Sequence, residues 1–187
     1  MSALAKATPP PPTIRRATGA DVLVMAKVHI ASWRETYPGM LPEPMLAGMS
    51  VADEAIRWQR MLDRPRRWDG SIVFVAEQDG AVVGYGSCGV QRTKALHDRG
   101  FTGEIGELYL LRAAQRQGAG SGLMKAMAAA LLERGHRGMS LWVLQRNRDA
   151  RLFYERLGGI LIAEKHAGLF EVAYGWSSLE RLSSRAA

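Results

Sequence analysis

One cysteine, Cys88, is all that the chain of 187 residues contains. An intrachain disulfide is therefore excluded, and a reducing, cytoplasmic setting is favoured. Cys88 falls inside the apolar run Val82–Val90, where cysteine behaves as a small buried hydrophobe. Long hydrophobic runs are lacking as well. None approaches the roughly 20 residues of a membrane span, so no membrane partner is expected. Met1 to Thr13 holds one lysine and no apolar stretch, which argues against an export signal. The four histidines have no ligand-like spacing to one another or to Cys88, so no metal site is expected. Acidic residues are outnumbered, 18 against 25 lysines and arginines, for a formal charge of +7. A basic balance suits an anionic partner: nucleic acid, membrane or a phosphorylated small molecule. The arginines are spread along the chain, so charge alone selects none of these.

What is present reads as a folded domain behind a short lead-in. The run Pro9 to Pro12 marks residues 1–12 as a disordered, proline-rich tail, with one domain over residues 13–187. Thr13–Ala17 reads as an edge strand. Thr18 and Asp21 form a capping pair for a helix from about Ala20 to Arg34. Pro38, Pro42 and Pro44 break it, and a second helix is predicted from Met45 to Leu62. Ser71–Glu77 and Ala81–Val90 are strands joined by a hairpin at Asp79-Gly80. A loop leads to a strand over Gly103–Leu111. After it come a glycine turn and a helix from Ser121 to Arg134, stopped by Gly135. Met139–Leu144 is a strand and Asp149–Leu157 a short helix. Ile160–Lys165 and Phe170–Trp176 close the chain as strands. This order predicts a mixed α+β domain without regular βαβ alternation.

The turn Gln115-Arg116-Gln117-Gly118-Ala119-Gly120 is the most informative stretch. A glycine turn that opens a helix leaves backbone N–H groups without intrahelical partners. They lie at the positive end of the helix dipole and suit a phosphate or pyrophosphate. A dinucleotide fold would need a third glycine and an acidic residue after the next strand, but that strand leads into Gln145-Arg146. The lysine of a P-loop is missing too. Taken by itself, the turn is equally compatible with a purely structural role.

Downstream, Asn147, Ala150, Phe153, Tyr154, Gly158 and Gly159 follow the spacing N-x-x-A-x-x-F-Y-x-x-x-G-G. With Q-x-x-G-x-G before it, this pattern resembles the GNAT superfamily of N-acetyltransferases. The match is best over Gly103 to Gly159. The resemblance implies a three-layer α+β fold with a mixed, mostly antiparallel sheet of about seven strands flanked by helices. It implies an acetyl-CoA-dependent N-acetyltransferase, with no metal. The pyrophosphate would sit on the N–H groups of Arg116, Gln117, Gly118, Ala119, Gly120 and Ser121, with Gln115 at the first motif position. The backbone of Leu108 and Leu110 would pair with the pantetheine arm. Asn147 would touch that arm, and Tyr154 would protonate the leaving thiolate, leaving Phe153 as the core residue.

Acetyl transfer needs a neutral amine and therefore a base. Glu104 stands first as candidate and Glu107 second. In a regular strand the two face opposite sides, unless a bulge alters the parity. Glu107 reads otherwise as a surface charge. Trp33 and Tyr37, four apart on a helix, form a candidate lip for the amine, whereas His29 reads as structural. The expected acceptor is a small-molecule amine, reached by direct transfer in a ternary complex. Alternatives are a non-catalytic acyl-CoA sensor and an enzyme acting on an RNA-borne or protein amine. Dimers are common in the family, which makes a homodimer a possible assembly.

Overall fold

The computed structural model describes residues 11–63 and 70–184. Residues 1–10, where most of the expected tail falls, lie outside the described residues. Seven strands form one sheet: β1 (Thr13–Arg16), β2 (Ile72–Gln78), β3 (Ala81–Val90), β4 (Gly103–Leu110), β5 (Met139–Leu144), β6 (Ile160–Ala167) and β7 (Leu169–Trp176). Their order across the sheet is β1-β2-β3-β4-β5-β7-β6. Every pairing is antiparallel except β4 with β5. Helices α1 (Val22–Thr36), α2 (Glu43–Ala47), α3 (Val51–Asp63), α4 (Lys94–His97), α5 (Ala119–Glu133), α6 (Arg148–Arg156) and α7 (Leu179–Ser183) complete the fold.

Why three layers form is visible in β2. Its residues are apolar on both sides, and alternate side chains enter different cores. Ile72, Phe74 and Ala76 pack with Leu123, Met124, Met127 and Leu131 of α5. Val73 and Val75 pack with Met25 of α1, Trp58 of α3 and Tyr85 of β3. The α5 residues recur at helical spacing and are fully buried, which fixes that helix to one face. The β2–β3 hairpin turns at Asp79 and Gly80, both with positive φ, as the sequence predicts.

The parallel pair β4–β5 has a consequence for everything that follows. Its register covers only Gly103 with Met139 and Glu104 with Ser140. Beyond that point β4 stays paired with β3 up to Leu110, and β5 stays paired with β7 up to Leu144. The two strands therefore diverge and leave a wedge between them. Its closed end is tight. Gly103 N–H donates to Gly138 O at 2.9 Å, and a Cβ on Gly138 would stand 2.8 Å from Gly100 O.

Five expectations about elements are corrected. The helix predicted over Met45–Leu62 is two helices, α2 and α3. The chain breaks at Gly48, where a Cβ would stand 3.2 Å from Pro44 O, and restarts with Ser50 Oγ accepting from Asp53 N–H at 3.3 Å. The loop after β3 contains α4, and α7 follows the last strand. Both are too short to carry a helical period. The glycine-turn helix begins at Ala119, two residues early. The first helix opens with a 3-10 turn over Gly19–Asp21.

Thr18 N–H and Oγ1 both donate to Asp21 Oδ2, at 2.7 and 3.0 Å, as the capping pair predicts. Arg15 forks onto the same carboxylate at 2.7 and 2.8 Å. The Arg15 guanidinium holds the Asp21 carboxyl down at about 2, below its ordinary 3.8. A depressed carboxylate stabilises the fold above its unfolded value and loses that effect as pH falls through the folded one. Asp21→Asn should therefore be less stable than wild type near neutral pH. The gap in urea midpoint should close as pH falls from about 4 to about 2.

Candidate active site

The turn between β4 and α5 is built to leave donors free. Arg116 and Gly118 both take the left-handed conformation, at φ 61° and 91°. Arg116 does so without being glycine, a strained state of the kind found at functional loops. The first helical hydrogen bond runs from Gly122 N–H to Gly118 O at 2.8 Å. Among the described residues no backbone hydrogen bond engages the N–H groups of Arg116 through Ser121. Arg116, Gln117 and Gly118 are exposed while Ala119 and Gly120 are buried, and all lie at the positive end of a 15-residue helix.

The two glycines do different work. A Cβ on Gly118 would meet nothing within 4 Å, so the space above the turn is open. A Cβ on Gly120 would stand 3.1 Å from both Leu110 Cδ1 and Phe153 Cζ, so its absence lets β4, α5 and α6 close together. The Gln117 side chain braces the turn. It donates to Ala113 O at 2.7 Å and accepts from Gln78 at 2.6 Å. Gln115 is exposed.

Four polar side chains converge on the wedge. Leu108 and Leu110 lie on β4 beyond the split, where no described strand pairs with the edge turned toward β5. Across the gap, Asn147 is buried and caps α6, accepting from Ala150 N–H at 3.2 Å. Burial raises the Tyr37 phenol at the end of α1, and its neighbours Tyr109 of β4 and Asn147 act against that rise. Tyr154 has the Tyr37 hydroxyl as its electrostatic neighbour. Burial, with Tyr37 adding to it, pushes the Tyr154 phenol well above its ordinary value. Trp33 meets Tyr37 edge to face at 5.0 Å, so the expected pair does share a helix face.

One expectation about these rings is reversed. Tyr154, not Phe153, is the buried member of the adjacent pair, packed against Tyr174 and Trp176. Phe153 is only half-buried, at the foot of the glycine turn.

The carboxylates resolve differently from their reading in sequence. On β3, Ser87 pairs with Glu107 and the next residue, Cys88, pairs with Ile105. Gly106 is thus an extra residue in β4, a bulge that restores parity. Glu104 and Glu107 consequently line one cavity of about 170 Å³. Glu104 is buried beneath Arg92, which donates to it from its backbone N–H, Nε and Nη2 at 2.9, 3.1 and 2.7 Å. It sits where β4 and β5 are still paired.

Glu107 lies beyond the split, and reading it as a surface charge is incorrect. Arg57 of α3 forks onto it at 2.8 and 3.3 Å, and the Tyr85 hydroxyl donates to its Oε2 at 2.8 Å. Buried His29 of α1 places Nδ1 2.5 Å from that hydroxyl and 3.6 Å from Oε2. Glu54 holds the other side of Arg57. Burial pushes the Glu107 carboxyl up, but His29 and Arg57 outweigh it and hold it below the usual carboxylate range. His29, Tyr85 and Arg57 were missed as site residues because they come from three elements distant in sequence. The local signal was His29 one turn before Trp33, whose rings stack at 5.1 Å.

A seven-stranded mixed sheet thus splits at its parallel pair, with unengaged amides beside the split. A sequence model of the Acetyltransferase (GNAT) family matches residues 33–159. The uncharacterized N-acetyltransferase YuaI of Bacillus subtilis is 35% identical over 178 residues, spanning 92% of this chain and 96% of that protein. PaiA N-acetyltransferase of Thermoplasma acidophilum, solved in complex with coenzyme A, superposes with TM-score 0.73. It does so at 17% identity, covering 88% of this chain and 99% of that one. YncA of Salmonella typhimurium, solved with its cofactor acetyl-CoA, gives TM-score 0.66 at 21% identity, with 94% and 96% covered. The chain belongs to the GNAT acetyltransferase family. It is an acyltransferase of the N-acetyltransferase kind, with acetyl-CoA as donor. Among the described residues, no helix is long and apolar enough to cross a membrane.

The Glu107 network makes a direct prediction. Arg57→Met removes a cation from a buried carboxylate, so burial should prevail. Glu107 should then take up its proton at higher pH, read by carbon-13 NMR of labelled glutamate.

Proposed function

We propose that the protein moves an acetyl group from acetyl-CoA directly to the amine of a small molecule, with both held together on the enzyme. The observation that carries this reading is the run of unengaged N–H groups from Arg116 to Ser121 beside the β4–β5 split. Arg116, Gln117, Gly118, Ala119, Gly120 and Ser121 would hold the pyrophosphate, with Gln115 at the rim. The free edge at Leu108 and Leu110 would pair with the amide-bearing arm as an added strand. Asn147, freed from Tyr37, would meet the same arm from the far side. Bound there, acetyl-CoA supplies an activated acetyl thioester.

Glu107 is the better base on geometry. It lies past the split, where an acceptor can reach the wedge, while Glu104 lies before it and is covered by Arg92. Glu107 is ionised at neutral pH and ready to accept a proton, directly or through water. Tyr154 stays protonated over the working range and donates its O–H proton to the sulfur that leaves. Burial raises a thiolate's proton affinity as it raises a phenol's. Cys88 illustrates this, with its thiol pushed up to about 12. The amine gives up one proton and the sulfur gains one, so the transfer is balanced. The same inertness of Cys88 supports direct transfer over an acetyl-cysteine route. Trp33 and Tyr37 would form the aromatic wall beside the amine.

Acetyl-CoA should raise the melting temperature, as any ligand of the folded state does; no shift at millimolar donor sinks the reading. Gly118→Asp keeps a residue tolerant of positive φ and costs about 1 kcal/mol of stability. It should weaken donor binding by about tenfold or more by placing charge against the phosphates. Tyr154→Phe should lower kcat by about a hundredfold while CoA affinity stays nearly unchanged. A parallel loss of CoA affinity would make Tyr154 a packing residue only.

A further inference from the structure

The cavity that Glu104 and Glu107 share has a composition that speaks to the acceptor. It is bounded by Arg57 of α3, Ser87 of β3, Arg92, and Glu104, Gly106 and Glu107 of β4. At about 170 Å³ it is smaller than a drug-sized pocket, which starts at roughly 300 Å³. Two guanidiniums and two carboxylates balance within it. A polyamine entering here would meet Arg57 and Arg92. A dianion would meet Glu104 and Glu107. A small molecule carrying one charge of each sign meets neither penalty.

The placement of single groups sharpens this. Ser87 is 4% exposed as a residue and lines the cavity. Its hydroxyl is not among the sealed polar atoms, so it faces the cavity and is available to a bound group. It lies beneath the bulge residue. A Cβ on Gly106 would stand 3.1 Å from Ser87 Oγ and 3.9 Å from Arg92 Nη2. Glycine at this one position opens the hydroxyl to the cavity. Ser87 and Glu107 are register partners, so their side chains share a face a few ångströms apart.

We propose that the acceptor is an α-amino acid or a close analogue, with its amine toward Glu107 and its carboxylate on the Ser87 hydroxyl under the Arg92 guanidinium. The amine and carboxylate of such a molecule are separated by one carbon, and Ser87 and Glu107 face each other across neighbouring strands. Glu104 holds Arg92 at 2.7 Å and so fixes the guanidinium over the bulge. Glu104 thereby acts as a positioning residue. The proposal rests on the acetyltransfer reading and names the acceptor for it.

The test is thiol release from acetyl-CoA with leucine, phenylalanine and glutamate, each beside its amide and its decarboxylated amine. The amino acids should be preferred in kcat/KM by at least about tenfold, the worth of one hydrogen bond to a charged group. Ser87→Ala, checked for an unchanged melting temperature, should remove that preference by lowering kcat/KM for the amino acids toward that of their amides. Equal or better turnover of the amides or amines overturns the proposal. So does an equal loss for all acceptors in Ser87→Ala, or no turnover of any of them by a protein that binds acetyl-CoA. Failure of the donor reading would show separately, as no thermal shift with acetyl-CoA.

Discussion

Two parallel strands that pair over two residues and then part are the constraint on which the rest depends. Antiparallel neighbours on both sides hold β4 and β5 in place while the edges between them stay open. An open strand edge is ordinarily a hazard, because it invites pairing with another chain. Here the wedge is narrow, lies inside the sheet, and is walled by helices on each face. The same divergence brings a helix start to its mouth. Because β4 ends at Leu110 and α5 begins at Ala119, the free amides of the turn stand next to the open edge. Free amides and open edge are thus one feature of backbone topology.

The acceptor side depends on side chains instead. Glu107 stands at the split with a guanidinium, a phenol and an imidazole around it, each contributed by a different element. A carboxylate tied down in this way is ionised and immobile. If Glu107 is the base, that immobility would serve the transfer, since a base displaced by one ångström loses much of its effect. The buried rings of Trp58 and Tyr85 and the half-buried ring of Trp33 stiffen this wall.

Much of the fold was legible because its signals are local. The hairpin at Asp79-Gly80, the stop at Gly135 and the turn around Gly118 depend on conformations that few residues adopt, so sequence reveals them. The break at Gly48 was hidden by continuous helical spacing on both sides. The geometry of the candidate site was legible where the backbone forms it. It was less so where side chains meet. The ranking of the two glutamates turned on Gly106, whose bulge changes the face to which β4 side chains point. Nothing in Gly103–Leu111 alone says that an extra residue is accommodated there. Neighbouring Phe153 and Tyr154 differ by one helical step, and only the packing of β7 decides which is buried.

The short β4–β5 register has a mechanical consequence. The sheet is two half-sheets, β1 to β4 and β5 to β7, joined by a seam two residues long. An arm lying in the wedge would bridge the halves along the rest of their length, as a missing rung does in a ladder. Cohesion of the enzyme would then rise and fall with its donor supply. In a cell, where proteases sample transient openings, the lifetime of the protein would become a readout of how much activated acetyl is at hand.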